Sequence, residues 1–111
     1  MDYDDRYVPV SRTYQQRYAR RYSDHTFDKL RSIDIALAEF VTMLDDTSGH
    51  AEVIAVAHES DTSVKELVLL VQWKRPLHVV IVVDDDREQE RVATVYEPYP
   101  SEWTADFRRR R

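Results

Sequence analysis

Residues 64–98 read VKELVLLVQWKRPLHVVIVVDDDREQERVATVYEP, three apolar runs rich in Val, Ile, Leu, Trp and Tyr that are separated by charged turns. Val and Ile are stiff at χ1 and fit a pleated surface, so these runs predict strands. Connections this short leave no room for a crossover helix, and the strands must pair antiparallel as a meander. The run at 77–83 is apolar on both faces apart from His78, which predicts a strand inside the sheet with cover on both sides.

The flanking segments supply the other elements. AEVIAVAHE at 51–59 predicts a first strand, followed by strands at 65–73, 76–84 and 91–97. Pro76 lacks a backbone donor and marks the start of its strand, while DDDREQE at 84–90 is polar enough only for an exposed hairpin loop. Ser23 or Asp24 caps a short helix over 25–31, with Phe27 and Leu30 facing inward. Ser32 or Asp34 caps the next, where Ile33, Leu37, Phe40 and Leu44 follow the spacing of an apolar helical stripe. That helix stops at Asp45-Asp46-Thr47-Ser48-Gly49, which holds the only glycine. Within 11–22, Tyr14, Tyr18 and Tyr22 recur at i, i+4 and predict a helix flanked by Arg17, Arg20 and Arg21. After Pro98 and Pro100, Ser101 caps a closing helix with Trp103 and Phe107 as an i, i+4 pair. The expected fold is α+β: N-terminal helices packed on a four-stranded antiparallel meander with a short C-terminal helix. Residues 1–22 form a basic Tyr- and Arg-rich arm ahead of a domain at 23–111.

A length of 111 residues fits one core. With no Cys there is no disulfide framework and no thiolate metal site, which suits a cytoplasmic protein. The single Gly excludes the common Gly-rich phosphate loops. No stretch has the length of a membrane span, and the acidic N-terminus is unlike a signal peptide. Charge is uneven: residues 6–23 carry five Arg and no acid, whereas residues 24–107 hold seven of the sixteen basic residues and eighteen of the twenty-one acids. Basic ends on an acidic body suit self-association, or an arm for RNA or an acidic partner. The tyrosine and arginine interleaving at 14–21 fits either a packed interface or a nucleic-acid stacking surface. The four histidines show no ligand spacing, and the acidic loop lacks the pattern of a calcium site. No metal and no cofactor are expected.

PLHVVIVVDDD followed by VATVYEPYPSEWTADFRRR resembles the C-terminal half of the DUF4258 family, small bacterial domains related to the RelE/BrnT-like toxins of toxin–antitoxin pairs. The family pattern has a Pro-Leu-His-Val-Val strand, a strand ending Thr-Val-Tyr-x-Pro, then a Trp and a basic helix. Here these are 76–80, 94–98, Trp103 and the arginines from Arg108 onward. The family's first helix tends to carry a His followed by Arg residues. His25, Lys29 and Arg31 stand there, with Lys in place of Arg and a shorter spacing. The resemblance covers 24–110 and leaves 1–23 outside. It implies a RelE/BrnT-like fold and a metal-independent endoribonuclease in which the RNA 2′-OH attacks the adjacent phosphorus, with RNA and a cognate antitoxin as partners.

Such chemistry needs a base and an acid near neutrality and cations around the phosphate. The candidates are His25 or His78 as base, Tyr96 as acid, and Lys29, Arg31, Lys74, Arg75 and Arg108 on the phosphate. Each has a plainer reading. Alternation puts His78 on one face with Val80 and Val82, where a histidine is more often a hydrogen-bonded core residue than a catalyst. Tyr96 can simply cover the sheet, and Lys74 and Arg75 can be solvated turn residues. His25 sits near a helix start, where the dipole favours the neutral ring, or is merely exposed. Nucleic-acid binders present a basic face, and the body here is acidic. The alternative is therefore a non-enzymatic protein-interaction module of the same fold, homodimeric or partner-binding.

Overall fold

The computed structural model describes residues 5–45, 50–70 and 75–111. The expected turn at Asp46 to Gly49, the end of the 65–73 strand and Lys74 lie outside the described residues. The elements are β1 (Val8–Thr13), β2 (Ala19–Tyr22), α1 (Asp24–Ser32), α2 (Leu37–Asp45), β3 (Ala51–His58), β4 (Ser63–Leu70), β5 (Leu77–Asp84) and β6 (Gln89–Tyr96). All six strands form one sheet in the order β1-β3-β4-β5-β6-β2. β3 to β6 pair antiparallel in succession, β1 pairs antiparallel with β3, and β2 runs parallel to β6. This overturns the expected four-stranded antiparallel meander between N-terminal helices and a C-terminal helix. The sheet is mixed and six-stranded, the segment expected as an 11–22 helix supplies its two edges, and no helix closes the chain.

Both corrections have local causes. A spacing of four is one helical turn, but only Tyr22 lies in a regular element; Tyr14 and Tyr18 belong to the irregular connection between β1 and β2. All three pack against the same core cluster. At the C-terminus, side chains compete with the helix for backbone groups. Thr104 Oγ1 accepts from the Arg109 N–H, and Asp106 Oδ1 accepts from the Arg108 N–H and the Thr104 hydroxyl. Phe107 then takes φ 61°, and the chain doubles back so that Trp103 bridges to Arg110.

β1 and β2 lie at opposite edges, yet only six residue steps separate Thr13 from Ala19. Fully extended, those steps span about 20–22 Å, while five strand spacings in a flat sheet need about 24 Å. The sheet therefore curls toward residues 14–18, which cross it as a strap. The strap shares the sheet's front face with α1 and α2, above a core that includes Leu30, Phe40, Val68, Val79, Ile81 and Val95. Ser23 caps α1 by accepting from the Thr26 N–H, and its hydroxyl donates to the Ala93 carbonyl at 2.7 Å. The Thr26 hydroxyl donates to the Val92 carbonyl at 2.9 Å, so the helix start is fastened to β6. α2 begins later than the stripe predicts. Asp34 takes φ 58°, Leu37 is 40% exposed, and Ile35 is buried instead. On the back face, Tyr7, Leu67, Leu69, Val80 and Tyr96 are covered by Trp103 and Phe107.

Candidate functional site

β5 and β6 pair in a register that sets His78 opposite Tyr96, so two of the sequence candidates do meet. Both are buried, His78 completely. The His78 Nε2 lies 2.8 Å from the Phe107 carbonyl and Nδ1 lies 3.2 Å from the Tyr96 hydroxyl. A carbonyl only accepts, so Nε2 carries the proton and Nδ1 accepts from Tyr96. Trp103 stands edge-on to the imidazole at 4.4 Å. Burial pulls the His78 pKa down to about 4, against the opposing pull of the Phe107 carbonyl. The ring is thus neutral at physiological pH, with both nitrogens occupied. The left-handed φ of Phe107 is uncommon for a bulky side chain, and it is the residue whose carbonyl meets the imidazole. This arrangement fastens the C-terminal segment to the sheet.

The other candidates do not converge on that pair. His25 is exposed on α1, and Lys29 lies half-buried one turn further. Arg31 pairs with Asp28 on the same helix. Arg75 donates to the Ile33 carbonyl and lies 3.3 Å from Glu97. Arg108 donates to Glu52 at 2.8 Å across the back of the sheet and lies 3.7 Å from Asp106. Three of the five phosphate candidates thus already hold a carboxylate, and Lys74 lies outside the described residues.

The front face carries a polar network that corrects one expectation: 84–90 is not wholly an exposed hairpin loop, because Asp84 ends β5, Gln89 and Glu90 open β6, and Glu90 is buried. Glu66 on β4 and Glu90 on β6 are 1% and 0% exposed, and a buried carboxylate is costly unless donors surround it. Glu90 accepts from the Tyr14 hydroxyl at 2.6 Å, from the Tyr18 N–H at 3.1 Å and from the Arg17 N–H. One oxygen of Glu66 faces the guanidinium groups of both Arg12 and Arg17. Burial, together with the Glu90 carboxylate on its hydroxyl, pushes the Tyr14 pKa well above the usual tyrosine range. Arg12 and Arg17 border an open cleft of about 490 Å³ that also touches His58, Thr62 and Asp85. The two carboxylates sit on strands separated by β5, and each is occupied by donors from β1 or the strap. Chemically this is a clamp. Its signal in the sequence was alternation: Glu66 shares a face with Val64, Val68 and Leu70, and Glu90 with Val92, which places both acids on the core side.

Among the described residues no group of His, Asp and Glu side chains could hold a metal ion, and no helix is long and apolar enough to cross a membrane. No family model, no curated protein and no solved structure matches the chain.

Proposed function

We propose that this chain is a non-enzymatic interaction module. The observation that carries the reading is the state of His78: sealed under Trp103, hydrogen-bonded at both ring nitrogens, and held neutral by burial. A general base must reach the proton it takes and have a pKa near the working pH, and this imidazole meets neither condition. The ion pairs of Arg31, Arg75 and Arg108 point the same way, because a phosphate would have to displace a carboxylate at each. The deciding experiment incubates purified protein with diverse RNAs in EDTA, beside His25→Ala and His78→Ala. Intact RNA with folded wild-type protein is expected. Cutting that one of these substitutions abolishes without unfolding the chain would overturn the reading.

A second reading follows from the contact between His78 and Tyr96. Base and acid candidates 3.2 Å apart suit a metal-independent endoribonuclease of the toxin–antitoxin type, provided that the segment carrying Trp103 and Phe107 lifts to admit RNA. EDTA-resistant cleavage that increases when Trp103→Ala loosens that segment, and that His78→Ala abolishes, is the expected signature. No cleavage by the loosened variant would sink it.

A further inference from the structure

The parallel pairing of β2 with β6 sets Arg20 opposite Glu90 and Arg21 opposite Arg91. Residues in register share a face, so the two pairs point to opposite sides of the sheet. On the front, Arg20 stands in register with Glu90, and its guanidinium pairs with Asp45 of α2. On the back, Arg21 and Arg91 are two like charges side by side, an arrangement that costs stability. Both residues are exposed, and neither guanidinium has a hydrogen-bond or ion-pair partner among the described residues. Apart from Arg109 and Arg111 on the C-terminal segment, the other arginines are all paired. Arg6, Arg12, Arg17, Arg20, Arg31, Arg75, Arg87, Arg108 and Arg110 all stand within ion-pair distance of a carboxylate.

The neighbourhood does not neutralise the pair. Arg91 lines an open hollow of about 410 Å³ on the back face with Glu59, Ser63, Val82, Asp84 and Arg87. Its two carboxylates are already engaged, Glu59 by Arg6 and Lys65 and Asp84 by Arg87. This half of the back face is the one that the Trp103–Phe107 segment leaves uncovered. Val82 and Lys65 continue the row inward from Arg91 in register. The result is a pair of uncompensated positive charges, Arg21 and Arg91, beside an ion-paired Lys65 on a chain whose net charge is −5.

We propose that the Arg21–Arg91 strip is the docking surface of the interaction module, and that its occupant is an extended acidic peptide segment of a partner protein. The proposal rests on the interaction-module reading. Charge complementarity selects an anion, since a bound carboxylate would relieve the repulsion between the two guanidiniums. An acidic peptide fits better than RNA, because single-stranded nucleic acid is held by exposed aromatic platforms as well as by cations. Here the only large hydrophobics exposed among the described residues are Val8, Leu37 and Tyr99, none of them on this strip.

The test titrates a labelled oligoglutamate peptide and an oligouridylate of equal charge into the full chain, read by fluorescence anisotropy at low and physiological salt. Oligoglutamate is expected to bind and to weaken with salt. Arg21→Gln and Arg91→Gln should each weaken binding roughly fivefold. Arg21→Glu/Arg91→Glu should abolish it, while Arg109→Glu on the C-terminal segment leaves it unchanged. Arg21→Glu alone should keep or raise the melting temperature, because it turns like-charge neighbours into an opposite-charge pair, so lost binding cannot be misread as lost folding. Absent oligoglutamate binding, or binding that ignores both arginines, overturns the assignment of this surface. Tighter binding of oligouridylate through the same arginines overturns the choice of occupant. Cleavage of the oligouridylate would overturn the interaction-module reading itself.

Discussion

At position 78 an imidazole stands in a row of aliphatic side chains, and burial decides its chemistry. The native pKa is about 4, below the value of about 6.5 for an unfolded histidine. Between those values the unfolded chain binds more protons, so stability rises with pH there. The contribution is complete above pH ~6.5 and is lost as pH falls through ~4, amounting to on the order of 3 kcal/mol. Denaturant melts at closely spaced pH values should show this loss, and His78→Phe should flatten the slope over the same window. Tyr14 makes the complementary case. Its hydroxyl donates to the buried Glu90 carboxylate, so Tyr14→Phe leaves a buried acceptor short of one donor and should cost about 2 kcal/mol, measured by urea unfolding.

Two irregular segments, the strap and the C-terminal turn, do the work expected of helices. Each is held by specific side chains and not by a repeating backbone pattern: Glu90 and Glu66 grip the strap, and Trp103 with the imidazole–carbonyl bond grips the tail. Trp103 is 1% exposed, and its replacement by Ala should cost about 3–5 kcal/mol. The consequence should be local before it is global. Limited proteolysis of Trp103→Ala is expected to cut within 99–111 first, leaving a fragment that retains β3 to β6. Simultaneous loss of all protected fragments would show instead that the tail and the sheet unfold as one.

At the scale of the molecule, the chain closes a curled sheet by running its own connection from one edge to the other. The strands inside that sheet, β4 and β5, are buried along most of their length, while β2 is a four-residue edge with alternating exposure. Native-state hydrogen exchange should therefore be slowest in β4 and β5 and fastest in β2 and the C-terminal segment. Fast exchange in β5 would contradict the nesting of the strands. The edges are poor templates for a further strand: β1 carries Pro9 and a register shift before Arg12, and β2 is short and basic, both devices that discourage edge pairing. A partner docking on the exposed side chains of the back face avoids this obstacle.

The sequence by itself determined the strands at 51–59, 76–84 and 91–97, the capped helix after Ser23 and the face occupied by His78. Each depends on local periodicity and caps, which act within a few residues. It did not determine the conformation of 11–22, where a helical spacing of tyrosines gave way to a strand–strap–strand path held on the core and on Glu90, nor that of 101–111, where side-chain competition replaced a weak helical pair. The candidate site was legible only in fragments. His78 and Tyr96 stood out as residue types, but their contact and their burial depend on strand register and on the returning tail. Glu66, Glu90 and the Arg21–Arg91 pairing have no local signature beyond alternation. They exist because β1 and β2 dock at opposite edges of one sheet, a long-range choice that places residues about seventy positions apart side by side.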